Sequence, residues 1–112
     1  RLLVLERTDG TTKLFEVRLN DGATDIAGSR WDDPQTRPTL EQSNDLSGTG
    51  ITPLRKRLVL DTADHKELPV KLEGMAILPD DTLLLVNDDD FGISGERTRI
   101  VLVRGLGLDF GK

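Results

Sequence analysis

The sequence predicts an all-β chain of about six strands, arranged as antiparallel hairpins, and three observations carry that prediction. Apolar residues fall in short runs of strand length and nowhere recur at helical spacing over several turns. The runs are separated by clusters of Gly, Pro, Asp, Asn, Ser and Thr, the residue types that turn a chain. The apolar supply is mainly Leu, Val and Ile: 36% of residues are hydrophobic but only 4% aromatic, so the expected core is thin and aliphatic.

Each element has its own signal. Leu2-Leu3-Val4-Leu5-Glu6 is a first strand-length run, and Arg7-Thr8-Asp9-Gly10-Thr11-Thr12 is a turn-rich link. From Lys13 to Leu19 apolar Leu14, Phe15, Val17 and Leu19 stand against Lys13, Glu16 and Arg18, which completes a first hairpin. Residues 20–53 change character to Asp, Gly, Ser, Thr, Pro and Gln, with Trp31 as the only large ring. A segment of that length is expected to be a functional insertion or a mobile loop. Trp31 reads as a pin for that loop or a stacking platform for a ligand. Lys56 to Asp61 is a further strand, and Asp61 to Val70 is a polar connection. Two apolar runs joined by Pro79-Asp80-Asp81 form a central hairpin. Gly92 to Thr98 is a turn, Arg99-Ile100-Val101-Leu102-Val103-Arg104 is the last strand, and residues 105–112 are a glycine-rich tail. The expected organisation is one all-β domain over residues 1–104, carrying an insertion at about 20–53, then the tail.

Composition excludes several functions. A net charge of -5 argues against a basic nucleic-acid surface. The chain has no cysteine, so neither disulfides nor thiolate metal sites are available. No apolar run approaches the roughly 18 residues of a membrane span. The chain opens on Arg1 within a strand-like run and reads as an excised piece of a longer protein.

The central hairpin predicts the first place to look for chemistry. With its turn centred between Asp80 and Asp81, Glu73 falls opposite Asp88 and Gly74 opposite Asn87. That register gathers Glu73, Asp88, Asp89 and Asp90 at the open end. Facing like charges are destabilising across a ladder, so a cation, a basic partner or water must offset them. Carboxylates beside an Asn amide oxygen suit a hard cation such as calcium; the plainer reading is an Asp-rich solvated turn. Because consecutive strands alternate direction, the links 7–12, 61–72 and 88–98 fall on one rim, which brings Glu6, Arg7 and Asp61 to the same place. Arg7 suits a two-pronged hold on an anion, or a structural ion pair with Glu73 or Asp88. His65, the only histidine, sits in a charged link with no nucleophile motif beside it. Asp90-Phe91-Gly92 and Asp109-Phe110-Gly111 spell a magnesium-binding kinase motif but lack its companions. Phe91 is instead expected to pack down into the apolar layer.

Three segments in order carry a family resemblance. Glu73-Gly74-Met75-Ala76, Leu78-Pro79-Asp80-Asp81 and Leu84-Leu85-Val86-Asn87-Asp88-Asp89-Asp90-Phe91-Gly92 resemble the signature of the phytase-like domain, labelled esterase-like activity of phytase. Leu3-Val4-Leu5-Glu6-Arg7 with Leu14-Phe15-Glu16-Val17, and Leu54-Arg55-Lys56-Arg57-Leu58-Val59-Leu60-Asp61, resemble other segments of that domain. The resemblance implies the C-terminal part of a longer β-propeller found in secreted bacterial proteins. Its first three strands would then close one blade and its last three open the next; a small β-sandwich is the alternative. It also implies a hydrolase of phosphate or other esters in a secreted, periplasmic or cell-surface parent. An isolated piece is expected to be inactive, because a propeller site draws on several blades. Carried over by motif are Glu6, Arg7, Glu73, Asn87, Asp88 and Asp90. Glu73, Asp88 and Asp90 are the candidate ligands of calcium or another divalent cation by their carboxylate chemistry, and Glu6, Arg7 and Asn87 the candidate contacts to a small phosphate or ester substrate. No catalytic residue is assigned. The competing expectation is a calcium-stabilised binding or scaffold module without catalysis. Open sheet edges would also invite self-association.

Overall fold

The computed structural model describes residues 1–93 and 95–108. It is all-β, with six strands among the described residues: β1 (Leu2–Thr8), β2 (Thr11–Val17), β3 (Lys56–Asp61), β4 (Leu72–Ile77), β5 (Leu83–Asn87) and β6 (Ile100–Val103). They form two antiparallel three-stranded sheets, ordered β1-β2-β3 and β4-β5-β6. That arrangement is consistent with parts of two propeller blades and with a small sandwich. The first hairpin is tighter than its turn-rich link suggested. Arg7 pairs with Thr12 and Thr8 with Thr11, leaving only Asp9-Gly10 to make the turn. Ladder pairing is a backbone property, so the strands run on past their last apolar residues.

Alternation sets the core. Leu14 and Leu60 of the first sheet are buried with Leu72, Leu83 and Leu85 of the second, and Leu68 joins them from the β3–β4 connection. Two bulges aim further side chains inward. The β2–β3 register shifts after Leu14, so Val59 packs against the core beside Leu60. The β4–β5 register shifts at Glu73, which lets Leu72 and Met75 both face inward although an unbroken strand would turn them to opposite faces. Leu106 packs on the same cluster and Leu108 is buried. Each sheet covers one face only. Ile100 and Leu102 on the outer face of β6 remain 69% and 53% exposed. The radius of gyration, 17.2 Å, exceeds the ~13 Å of a compact domain of similar length, as expected for a one-sided core with a long insertion.

The central hairpin has a different register from the one predicted. Ile77 pairs with Leu83, Met75 with Leu85 and Gly74 with Val86, so the turn centres on Asp80 itself. Asp80 and Asp81 both adopt left-handed backbone conformations, φ 71° and 58°, and Leu78 N–H donates to the Thr82 carbonyl at 2.8 Å. Three residues therefore make the loop, and an odd loop places its centre on a residue. The bulge at Glu73 then displaces the register once more: Leu72 pairs with Asn87, and Asp88 N–H donates to the Lys71 carbonyl at 3.1 Å. Glu73 does not face Asp88, and Gly74 does not face Asn87. Gly74 lies so close to Val86 that a Cβ built there would stand 2.5 Å from Val86 Cγ1.

Phe91 also departs from expectation. It is 97% exposed, because a short 3-10 turn over Asp90–Gly92, capped by the Asp89 carboxylate on Phe91 N–H, holds it at φ 58° with its ring outward. Residues 18–55 contain no strand; the short 3-10 turn Arg30–Asp32 lies among them. Thr24 and Thr52 close the base of this insertion through two hydrogen bonds, Thr24 N–H to the Thr52 carbonyl at 2.9 Å and Thr52 N–H to Thr24 Oγ1 at 2.8 Å. Trp31 is half-buried within it, with the Arg30 guanidinium 4.1 Å from the ring centre. Asp109-Phe110-Gly111 lies outside the described residues.

Candidate functional site

One rim joins the two sheets, and a buried threonine fastens it. Thr12 sits at the start of β2 with no exposed surface. Its N–H donates to Thr62 Oγ1 at 2.8 Å, its hydroxyl donates to the Val70 carbonyl at 2.5 Å, and it accepts from Leu72 N–H at 3.4 Å. Next to it, the Thr11 hydroxyl donates to Asp61 Oδ1 at 2.9 Å. The β1–β2 turn, the β3–β4 connection and the start of β4 are thereby bonded together. Ala63 N–H, Thr11 and Lys13 hold the Asp61 carboxyl below its usual range, the backbone donor first.

Charged side chains gather on this frame. Arg7, at the end of β1, reaches across to the bulged Glu73, Nη1 to Oε1 3.0 Å. Lys71 makes an ion pair with Asp90. Asp90 N–H donates to Asp88 Oδ1 at 3.1 Å, which keeps those two acids together. The Lys71 ammonium, with Asp88 beside it, depresses the Asp90 carboxyl, and Asp90 in turn raises Lys71. Arg7 and Lys71 also line a cavity of about 350 Å³ with Thr8, Asp9, Val70 and Glu96, a size suited to a small ligand.

The expected residues divide into three groups. Arg7, Glu73, Asp88 and Asp90 come together. Glu6 does not join them: strand alternation turns it to the other face of the first sheet, where Lys56 Nζ binds its carboxylate at 2.7 Å and sits 4.5 Å from the centre of the Phe15 ring. Asn87 is beside the cluster but buried, and its amide is used internally. It donates to the carbonyls of Asp88 and Arg97 at 3.1 and 3.2 Å and accepts from Arg99 N–H at 2.6 Å. His65 is occupied by Glu67, Nδ1 to Oε1 3.1 Å. Lys71, Thr12 and Thr62 are additions that sequence reasoning missed, since a lysine before a strand and threonines near a turn carry no distinctive spacing.

Among the described residues, no group of three or more His, Asp or Glu side chains is placed to hold a metal ion. As arranged, the carboxylates of Glu73 and Asp90 face cationic side chains rather than one another. Arg7 and Lys71 are thus cations on one cavity wall, each paired with a carboxylate. A family model described as Phytase-like: Esterase-like activity of phytase matches residues 1–91. No curated protein and no solved structure matches the chain. The matched span contains Arg7, Lys71, Glu73, Asp88 and Asp90.

Proposed function

The chain belongs to the phytase-like family, that of esterase-like activity of phytase, and from that membership we propose that it forms part of a hydrolase acting on phosphate or other esters. The observation that supports this reading is the pairing of Arg7 and Lys71 on the wall of one small cavity, each resting against a carboxylate. In the proposed binding step a substrate oxyanion takes the place of Glu73 at Arg7 and of Asp90 at Lys71. Arginine offers a planar fork to such a group and lysine a point charge. The general base and the nucleophile are left to other parts of a longer propeller, of which these sheets form pieces of two blades. The isolated chain therefore binds without turnover, and the proposed setting of the parent is secreted, periplasmic or at the cell surface.

Among the described residues no three acids are grouped to hold a metal ion, and no step is routed through one. Calcium or another divalent cation is instead proposed as a competitor of Lys71 and Arg7 for Asp88, Asp90 and Glu73. A second reading, a binding or scaffold module without catalysis, is favoured by the same ion pairs, since a purely structural rim also places a cation against each acid. Two measurements separate the readings. An aryl phosphate should bind the chain in ligand-observed NMR, and Arg7→Gln with Lys71→Gln should weaken that binding. The parent protein should hydrolyse that ester and lose activity with the same substitutions. Binding without turnover by the parent would select the scaffold module, and no binding would reject the substrate site.

A further inference from the structure

We propose that the opposite end of the first sheet carries a second ligand site, for a doubly charged oxyanion held by Arg18 and Arg55 beside the Arg57–Glu16 pair. The site is independent of the hydrolase reading. It lies where β2 ends and β3 begins, about 20 Å along the strands from the rim described above. A cavity of about 250 Å³ opens there, lined by Glu16, Arg18, Asp21, Arg55, Lys56 and Arg57. Four basic side chains against two carboxylates make a local positive surplus in a chain whose net charge is -5.

The buried carboxylate organises the cluster. Glu16 is only 7% exposed. Arg57 satisfies one of its oxygens, with Nε 3.1 Å away and Nη2 in direct contact. Arg1 approaches the other oxygen at 3.5 Å. The hydrogen bond from Arg57 holds the Glu16 carboxyl below its usual range, so it stays charged and keeps the guanidiniums near. A single structural carboxylate needs one such partner.

Arg18 and Arg55 lie within ion-pair range of Glu16 and Asp21 but donate no hydrogen bond to them. Arg18 Nε stands 3.9 Å from Glu16 and Arg55 Nε 3.9 Å from Asp21, both beyond hydrogen-bonding distance. Their side chains are 57% and 82% exposed, so their N–H forks face the cavity and solvent. Lys56 is engaged by Glu6. Guanidiniums lining one cavity repel one another, and an oxyanion that accepts from two of them at once offsets the repulsion and fills the donors. A phosphate-type group carries about two negative charges near neutral pH, which suits a lining where cations outnumber carboxylates.

The test is a titration of the whole chain with inorganic phosphate, sulfate and an aryl phosphate against chloride at constant ionic strength. The readouts are the arginine Nε–H NMR signals and the melting temperature. Phosphate and sulfate should shift the Arg18 and Arg55 signals saturably and raise the melting temperature. Tighter binding of the aryl phosphate would also support the site and would identify an esterified phosphate as its ligand. Arg18→Gln or Arg55→Gln should each weaken phosphate about tenfold, as expected for one lost charge-assisted contact. Both side chains are at the surface, so these variants should fold. Lys71→Gln, at the other rim, should leave the phosphate response of the Arg18 and Arg55 signals unchanged, which separates its outcome from that of the substrate site. Equal effects of phosphate and chloride, or an unchanged titration in Arg18→Gln, would overturn the proposal.

Discussion

Lys71 and Asp90 form an ion pair that ties the β3–β4 connection to the turn following β5. The contact favours the charged form of both partners, depressing Asp90 and raising Lys71.

Acid should therefore weaken the fold in a traceable way. The carboxyls of Asp90, Glu16 and Asp61 are all depressed in the folded chain. Their contributions are present above the ordinary carboxylate range and disappear as pH falls below about 4 and through the folded values. Lys71 behaves oppositely, contributing until pH rises through its raised value. Stability measured by denaturant titration should be level through neutral pH and fall in acid, with a shallower acid limb in Asp90→Asn. An unchanged limb in Asp90→Asn, Glu16→Gln and Asp61→Asn alike would remove the linkage.

Calcium offers a second test of the rim. With Arg7 and Lys71 already facing Glu73 and Asp90, calcium and chelator should give nearly equal melting temperatures for the native chain. Lys71→Gln frees Asp90 beside Asp88, and a calcium-dependent rise should then appear by mass action. A large rise in the native chain would show that the cation outcompetes Lys71.

Gly74 tests the hairpin register. A methyl group there collides with Val86, so Gly74→Ala should cost about 1–3 kcal/mol, the usual range for overpacking. Val86→Ala should relieve part of that cost in the double variant. Purely additive effects in a double-mutant cycle would place Val86 away from Gly74.

Core and surface leucines should separate cleanly. Leu85 is fully buried on the central strand of its sheet, and Leu85→Ala should cost about 2–5 kcal/mol. Leu102 lies on the outer face of β6, and Leu102→Ala should stay within about 0.5 kcal/mol in dilute solution. Equal losses would mean that the outer face is also covered.

Self-association should draw on that outer face and on the edges of β1, β3, β4 and β6 that are unpaired among the described residues. Sedimentation velocity should show a concentration-dependent dimer that Ile100→Lys diminishes. A monomer at all concentrations would exclude it.

The strands are legible in the sequence because branched aliphatic runs bounded by turn residues leave few alternatives, and the two-sheet arrangement follows from their order. The hairpin register is not legible to the same degree. It depends on two consecutive aspartates entering the left-handed region, which Asp tolerates but does not require. The bulge had a signal, since an isolated glycine inside a strand marks a bulge or a close backbone approach, and Gly74 marks both. Of the site, Arg7 and Glu73 are legible as partners, because alternation brings their links to one rim. Lys71, placed opposite Asp88 by the shifted register, is not. Phe91 is misjudged when hydrophobicity alone is weighed, since the conformation of its turn overrides the gain from burying it.

The two hydrogen bonds between Thr24 and Thr52 give the insertion the character of an exchangeable cassette. Its entry and exit are pinned together, so the contents can lengthen, shorten or be replaced while the paired strands on either side feel little of the change. The entropy of closing a flexible loop grows only slowly with its length, which keeps such exchanges thermodynamically mild. Variation within this segment can then alter what one end of the first sheet presents to its surroundings while the rim fastened by Thr12 stays as it is.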